Sequence, residues 1–287
     1  MCLLMHLAPL GVALMCLLTI VANITGVVTG RVVHLDMNAI NVIKIIRALS
    51  VIFVPQDPSP PAKLSLALPT PVKINRLAPL LSGYFNSAAE YLINGFCFGF
   101  PIPFQGPSSS TAASNLLSAQ QHPGVVDRYL AREVLAQRVA SPFTHPPFQN
   151  FWVSPIGVIP KKTPGEFRCI QHLSYPYGAS VNDGIPVEDS SVTYFRIDDA
   201  TGLILRSGVG SFLAKTDIKS AFRIIPIRPA DYNLLGIYWR GNYYYDRCLA
   251  MGLASSCKTF EALSTAVQWI AQTKLGTSYM LHLLDDS

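Results

Sequence analysis

The chain has 287 residues, of which 50% are hydrophobic and 14% charged, and its formal net charge is +5. The charged fraction is low beside the roughly 25% usual in globular proteins, and the mildly basic balance permits a polyanionic partner without demonstrating one. The six cysteines form no C-x-x-C pair and the six histidines are scattered, which argues against a disulfide framework and a zinc site.

The N-terminal segment is unusual because its first 30 residues contain no Lys, Arg, Asp or Glu. Residues 3–22 are almost wholly apolar, a length that suits a membrane-spanning helix of about 20 residues. A signal peptide without the usual positive start is a second interpretation. The third is unrelated flanking coding sequence, since nothing in residues 1–60 fits the pattern of the later residues. If the segment is an anchor, the basic residues from Arg31 onward would hold the remaining chain in the cytoplasm.

The next part of the chain is predicted to lead into a folded region. Residues 31–75 are interpreted as a linker, extended through their proline-rich part at residues 55–72. Residues 76–147 form a leader whose many aromatic side chains are interpreted as core rather than as platforms for stacked bases. A polar loop is expected at residues 108–114. Helical spacing of apolar residues predicts a helix over residues 124–139, with Asp127, Arg128, Arg132 and Glu133 on its polar face.

From Phe148 onward, short apolar segments alternate with turn signals. The pattern predicts strands over residues 153–160, 167–173, 211–217, 234–239, 243–246 and 278–284, and a helix over residues 255–272. Because strands and helices mix without a regular βαβ alternation, the predicted fold class is α+β.

Two features of this region have both an ordinary and a functional interpretation. Lys161, Lys162 and Arg168 lie on the first predicted hairpin. Such a cluster is usually a solvated face, but an Arg seven residues from a Lys across a turn could clamp a triphosphate. Gly252 precedes the predicted helix, where glycine either lets the backbone approach a ligand or serves an ordinary loop.

Three carboxylates stand at the ends of predicted apolar strands, namely Asp217, Asp285 and Asp286. Alone, Asp217 would be interpreted as a helix cap or turn residue. Together the three would make an all-oxygen site that suits two Mg²⁺ ions and phosphoryl transfer. The pair Asp198-Asp199 differs, since it opens an amphipathic segment and is predicted to supply the N-cap and first turn of a helix.

The order of these segments resembles that of a reverse transcriptase. Ser154–Arg168 is similar to the fingers hairpin, and Asp217–Phe222 to the first palm motif. Leu249–Phe260 is similar to the Leu-Pro-x-Gly loop with its helix, and Leu283–Asp286 to the aromatic-x-Asp-Asp motif. Finer features resemble the DIRS-type retroelements, whose full-length members pair the polymerase with a tyrosine recombinase. These features are His172–Pro176, Ser180–Pro186, Ser255–Glu261 and, upstream, Gly95–Gly106 with Asn115–Ala119 and Gln121–Pro123.

This resemblance covers roughly residues 76–287 and implies a partial right-hand polymerase fold, with fingers and an incomplete palm over residues 148–287. It implies RNA-directed DNA polymerisation of dNTPs on an RNA or DNA template-primer. Asp217, Asp285 and Asp286 would be catalytic and, with the carbonyl of Ile218, would hold two Mg²⁺ ions, with Mn²⁺ as the alternative. Nucleotide binding is implied for Lys161 or Lys162 with Arg168 at the triphosphate, Phe222 as a steric gate against a ribose 2′-hydroxyl, and Met251 and Gly252 lining the pocket.

The sequence also departs from the family pattern. Ala250 stands where the family has Pro, and Leu283 where it has an aromatic residue. The sequence ends at Ser287, before the second strand of the last hairpin, the thumb and the RNase H domain of full-length relatives. We therefore expect a truncated copy with weak or no activity. The resemblance favours a location in the nucleus or cytoplasm. Two alternatives stay open: a non-catalytic nucleic-acid-binding relic, and a membrane-anchored product through residues 3–22.

Overall fold

A computed structural model describes the backbone of residues 17–19, 28–30, 50, 52–53, 67–140, 142–208, 213–218, 220–277 and 279–282. Side chains are described in the same ranges except at residues 17–19, 28–30 and 213–217. The chain divides into two compact units. The larger comprises residues 56–192 and 220–264, and the smaller comprises residues 1–55, 193–219 and 265–287.

Helices and strands alternate irregularly along the described chain. The helices are α1 (Ile74–Leu80), α2 (Asn86–Phe98), α3 (Leu117–Gln121), α4 (Pro123–Leu135), α5 (Ile197–Ser207) and α6 (Ser256–Lys274). The strands are β1 (Leu17–Thr19), β2 (Val28–Gly30), β3 (Thr111–Ala112), β4 (Trp152–Val153), β5 (Ile156–Pro160), β6 (Phe167–Gln171), β7 (Leu213–Ile218), β8 (Gly236–Trp239) and β9 (Asn242–Tyr245). This mixture confirms the predicted α+β class.

The larger unit contains a four-stranded sheet in the order β3-β4-β8-β9 and a separate antiparallel hairpin of β5 and β6. The single strand predicted at residues 153–160 is divided, because β4 pairs with β8 while β5 pairs with β6. Pro155 lies at this break, where a residue without a backbone N–H interrupts the ladder. β3 lies in the predicted polar loop, where Thr111 pairs with Trp152, so the loop prediction is wrong at residues 111–112.

A hydrophobic core joins α4 to the strands of the larger unit. Val126 and Leu130, one turn apart on α4, pack in one cluster with Ile156 and Val158 of β5 and with Ile237 of β8. The helix ends at Leu135 rather than at residue 139 as predicted. The chain turns at Gln137, whose φ is 58°, and the amides of residues 138 and 139 both donate to the Glu133 carbonyl.

The leader contributes further buried aromatic side chains to the larger unit. Phe96 and Phe100 are buried and make an edge contact with ring centroids 5.0 Å apart, as the core interpretation of the aromatics predicts. The backbone N–H of Ile102 donates to the Asp231 carboxylate at 2.9 Å. The end of the predicted linker is also bound here, since the Thr70 hydroxyl donates to a backbone carbonyl of the larger unit at 2.6 Å. Phe85 and Phe98, by contrast, are exposed.

The smaller unit contains a three-stranded sheet in which β7 lies between β1 and β2. β1 is parallel to β7 and β2 is antiparallel to it. In α5, Asp198 and Asp199 occupy the first turn as predicted, but Arg196 rather than an aspartate is the N-cap residue. The Asp199 carboxylate accepts a 2.7 Å hydrogen bond from the Arg196 backbone N–H.

The strand predicted at residues 278–284 is not formed in its described part, residues 279–282. There the chain packs along α6 instead. The backbone N–H of His282 donates to Gln268 at 3.2 Å, and the Gln272 side chain donates to the carbonyl of Met280 at 3.3 Å. In the part of the chain that the structure describes, no helix has both the length and the apolar character needed to cross a membrane. Most of residues 3–22 lies outside that part, so their membrane interpretation stays a prediction.

Candidate nucleotide-binding site

The β5–β6 hairpin displays the three cations predicted from the sequence. Ile159 lies opposite Arg168, and the backbone N–H of Lys161 donates to the Glu166 carbonyl at 2.8 Å, which closes the turn. The Lys161 ammonium lies 3.1 Å from the Glu166 carboxylate, with both side chains about half exposed. Exposed pairs of this kind contribute only about 0–1 kcal/mol, so the ammonium can exchange this partner for another anion. Lys162 is exposed on the same turn.

Arg168 differs from the two lysines because part of its side chain is buried. Its Nε atom is inaccessible to solvent and has no hydrogen-bond partner among the described residues. A buried donor without an acceptor is rare, because the lost hydration is not replaced. Because Nε is closed to solvent, an anionic ligand on the hairpin would have to meet the other guanidinium nitrogens of this partly buried side chain.

The loop that contains Gly252 packs directly on the hairpin. A Cβ atom placed on Gly252 would lie 2.2 Å from the backbone carbonyl oxygen of Gln171, the last residue of β6. Only glycine permits this approach of one backbone to the other. Packing against β6 is therefore sufficient to explain why residue 252 is glycine. The sequence alone could not separate this explanation from close approach to a ligand. Met251, its neighbour, is 49% exposed.

Phe222 lies in a short 3₁₀ helix, Ala221–Ile224, that comes after β7 in the sequence. Its side chain is buried and meets the ring of Phe260 edge to face, with centroids 5.5 Å apart and an interplanar angle of 84°. Phe260 belongs to the first turns of α6, so the position of the Phe222 ring is fixed by that helix.

Sequence reasoning missed a buried ion-pair network next to Phe222. The Arg223 guanidinium donates to Asp246 at 2.5 Å and to Glu133 at 3.1 Å. It also donates to the backbone carbonyl of Leu249, the first residue of the Gly252 loop, at 3.3 Å. The only signal in the sequence was that Arg223 and Asp246 interrupt apolar or aromatic runs, whereas Glu133 was assigned to the polar face of its helix.

The surroundings of the two carboxyls in this network shift their pKa values in opposite directions. Burial raises the pKa of the Glu133 carboxyl, but the hydrogen bond from Arg138 and the charge of Arg223 outweigh burial and lower that pKa to about 2. Burial raises the pKa of the Asp246 carboxyl above its usual range, although Arg223 opposes that rise. Glu133 is therefore ionised at neutral pH and holds Arg138 and Arg223 together.

The predicted carboxylates are described only in part. Asp217 is the fifth residue of β7, where its backbone lies opposite Thr29, and Ile218 ends that strand. The Asp217 side chain, Asp285 and Asp286 lie outside the described residues. Among the side chains that are described, no group of three or more His, Cys, Asp or Glu is placed to hold a metal ion. The metal site stays a prediction.

Comparison with known proteins gives similarity only among solved structures. No protein-family model and no curated protein matches the chain. It is similar to the prototype foamy virus protease-reverse transcriptase, with 17% identity over 56% of this chain and a TM-score of 0.36. It is also similar to the foamy viral protease-reverse transcriptase in complex with double-stranded DNA (14% identity over 78% of this chain, TM-score 0.42) and with an RNA/DNA hybrid (12% over 78%, TM-score 0.41). The aligned parts span 19%, 46% and 30% of those three chains.

Proposed function

We propose that this chain contains the nucleotide-binding part of an RNA-directed DNA polymerase of a DIRS-type retroelement, which acts by two-metal nucleotidyl transfer. One observation carries the proposal. The hairpin with its cations and the Gly252 loop are about 80 residues apart in the sequence, and the family resemblance implies nucleotide binding for both. Gly252 nevertheless packs on the carbonyl of Gln171, three residues beyond Arg168 on the same strand.

In this proposal the hairpin binds the triphosphate. Arg168 contributes a planar guanidinium, a group whose paired N–H donors match phosphate oxygens. Lys161 and Lys162 contribute mobile charges at the exposed turn, and Lys161 leaves its surface partner Glu166 when phosphate is bound. The three cations offset the negative charge that the nucleotide brings.

The remaining contacts of the nucleotide come from the two segments that Arg223 joins. Phe222, held against Phe260, would occupy the space of a ribose 2′-hydroxyl and so favour dNTPs. Met251 would cover the base, and its 49% exposure leaves it available for contact. Arg223 bonds the carbonyl of Leu249, so the gate and the loop keep a fixed separation.

The residues proposed for the metal fit Mg²⁺ by their chemistry. Three carboxylates, Asp217, Asp285 and Asp286, with the carbonyl of Ile218 form an all-oxygen donor set, and Mg²⁺ or Mn²⁺ prefers such ligands. Bound there, two ions would activate the primer 3′-hydroxyl and neutralise the leaving pyrophosphate. The role of the chain is to hold the carboxylates deprotonated and oriented.

Primer extension by the full chain tests this function. The assay uses a DNA primer on an RNA template with dNTPs and Mg²⁺, repeated with Mn²⁺. Since changes behind metal ligands already cost 10–100-fold, Asp217→Ala should lower the rate at least about 100-fold. Asp198→Ala, an aspartate exposed in the first turn of α5, is the matched control and should retain the wild-type rate. An extension rate that Asp217→Ala leaves unchanged would refute the proposed chemistry.

A second candidate, nucleic-acid binding without catalysis, is favoured by the exposure of the hairpin turn at residues 161–166. Binding through phosphate contacts weakens steeply as salt rises. In this case the chain would bind a template-primer without extending it. Binding would survive Asp217→Ala and weaken when Lys161, Lys162 and Arg168 are replaced by alanine together.

A further inference from the structure

Asn182 contacts the Gly252 loop and is not among the residues proposed to touch the nucleotide. It begins a short 3₁₀ helix, Asn182–Gly184, and its own backbone N–H donates to the Leu173 carbonyl at 3.0 Å. Leu173 lies two residues beyond β6, the strand that carries Arg168. The backbone of Asn182 is thus fixed to the chain that leaves the cationic strand.

The side chain of Asn182 spans the loop with both ends of its amide. Its Nδ2 donates to the Gly252 carbonyl at 2.8 Å, and its Oδ1 accepts from the Ala254 backbone N–H at 2.9 Å. The second proton of Nδ2 goes to the Ser174 hydroxyl at 2.8 Å. Both donors are used, and the acceptor is used as well.

These three partners also fix the orientation of the amide. A flipped amide would place the NH₂ group against the Ala254 N–H and the oxygen against the Gly252 carbonyl. Aspartate at this position would bring a carboxylate oxygen to the same carbonyl, with no proton between them. The site therefore requires an amide rather than an acid of the same shape.

From this geometry we propose that Asn182 is a positioning residue for nucleotide binding. It holds the Met251–Gly252 loop at a fixed position against β6. This fixes the distance between Met251, proposed to contact the base, and Arg168, proposed to bind the triphosphate. The inference rests on the proposed function for its consequence, the binding of a dNTP. The attachment of the Gly252 loop by Asn182, called the clamp below, rests only on the hydrogen bonds of Asn182.

Two variants of the full chain test the proposal, Asn182→Asp and its matched control Asn242→Asp. Asn242 lies in the β8–β9 hairpin, where its side chain makes a single 3.3 Å bond to the Arg240 carbonyl. Steady-state primer extension gives KM for dNTP and kcat, and a filter assay gives Kd for the template-primer. Asn182→Asp should raise KM for dNTP about tenfold or more, since it loses hydrogen bonds and adds repulsion. The Kd for template-primer should stay within about twofold of wild type in both variants.

A structural role alone would lower kcat and template binding together with folding, and would not single out KM for dNTP. An unchanged KM for dNTP in Asn182→Asp, with wild-type extension intact, would overturn the inference and leave the proposed function standing. Equal losses of template binding and kcat at constant KM would also overturn it.

Amide hydrogen exchange separates this inference from the proposed function. In Asn182→Ala the amide of Ala254 loses its acceptor, so its exchange should accelerate at least about tenfold while the amides of β8 and β9 keep their protection. If the wild-type chain neither extends a primer nor binds a dNTP, the proposed function fails, and the nucleotide role of Asn182 fails with it. Ala254 exchange then decides whether the clamp exists, and unchanged exchange in Asn182→Ala refutes it.

Discussion

Arg223 donates to Asp246 at 2.5 Å in a site where the arginine side chain is 14% exposed and the aspartate 2%. The same guanidinium bonds Glu133 on α4 and the carbonyl of Leu249. Three segments distant in sequence therefore meet at one side chain: Glu133 on α4, Arg223 itself, and the stretch from Asp246 to Leu249. Since Phe222 precedes Arg223 and Leu249 begins the Gly252 loop, this contact connects core packing to the proposed nucleotide site.

Replacing Arg223 with methionine should destabilise the chain strongly. Asp246 would remain buried without its cation, and Glu133 would lose one of the three arginines that it pairs with. Removing one partner of a buried ion pair costs about 3–5 kcal/mol. Urea unfolding at pH 7, followed by circular dichroism, measures the loss in the free energy of unfolding.

The control for this prediction is Arg240→Met. It breaks the exposed pair between Arg240, in the turn of the β8–β9 hairpin, and Asp127 on α4. Its side chains are 60% and 40% exposed, so the expected loss is about 0–1 kcal/mol. Equal losses in the two variants would show that burial of the Arg223 network has no energetic consequence.

Glu133 predicts a dependence of stability on pH. Its pKa is lowered from 4.5 to about 2 in the folded chain, which corresponds to about 3 kcal/mol of stabilisation at pH 7. A carboxyl whose pKa falls on folding stabilises fully above its unfolded pKa. That stabilisation is lost as pH drops from about 4.5 towards 2.

Glu133→Gln keeps the shape of the side chain and removes the titration. The difference in unfolding free energy between wild type and variant should be about 3 kcal/mol at pH 7 and should shrink as pH falls below 4.5. Taking the difference is necessary because Asp246, whose pKa is raised, acts in the opposite direction. Glu166→Gln at the exposed hairpin is the control and should show little dependence. A difference that stays constant down to pH 3 contradicts the assignment.

Local patterns were sufficient to predict much of the fold. The β8–β9 hairpin was predicted from two apolar runs around Arg240 and Gly241, and those residues do turn the chain with φ of 47° and 80°. The helix beginning near Ser255 was predicted from its apolar spacing and is present as α6. These elements depend on interactions between residues close together in the sequence, so one sequence is sufficient to predict them.

Contacts between distant segments could not be predicted in the same way. Thr111 pairs with Trp152 only because β4 offers an edge at that point, and a two-residue strand has no period to detect. Glu133 was assigned to a polar face because it is charged. Its side chain is nevertheless buried, and it pairs with three arginines that are 1, 5 and 90 residues away. Likewise, the role proposed for Asn182 depends on its hydrogen bond to a loop 70 residues later.

Gly252→Ala should disturb the candidate site through one contact. The new Cβ would lie 2.2 Å from the Gln171 carbonyl, which is backbone at the end of β6 and cannot rotate away. Overpacking of this kind costs about 1–3 kcal/mol, and here it would also move Met251 away from the nucleotide. Thermal unfolding and KM for dNTP should both change.

Gly202→Ala on α5 is the control for this substitution. Its Cβ would meet only the end of the Arg206 side chain, at 3.5 Å, so the helix should gain up to about 1 kcal/mol. Opposite signs of the two changes in unfolding free energy are the expected result. A Gly252→Ala variant as stable as Gly202→Ala would show that the loop can move away from β6 without loss.

Phe222 and Phe260 provide a matched pair for testing the proposed steric gate. Both rings are buried and pack on each other edge to face at 5.5 Å, so replacing either with valine removes similar packing. Each variant should lose about 2–4 kcal/mol of stability, somewhat less than for replacement by alanine.

Only Phe222 is proposed to contact the sugar, so Phe222→Val should lower the preference for dNTP over rNTP at least about tenfold, the worth of one lost steric contact. Phe260→Val should keep that preference at equal folded fraction. The measurement is kcat/KM for a dNTP and the matching rNTP on one template. Equal losses of preference in the two variants would mean that packing, rather than the Phe222 ring itself, determines sugar selection.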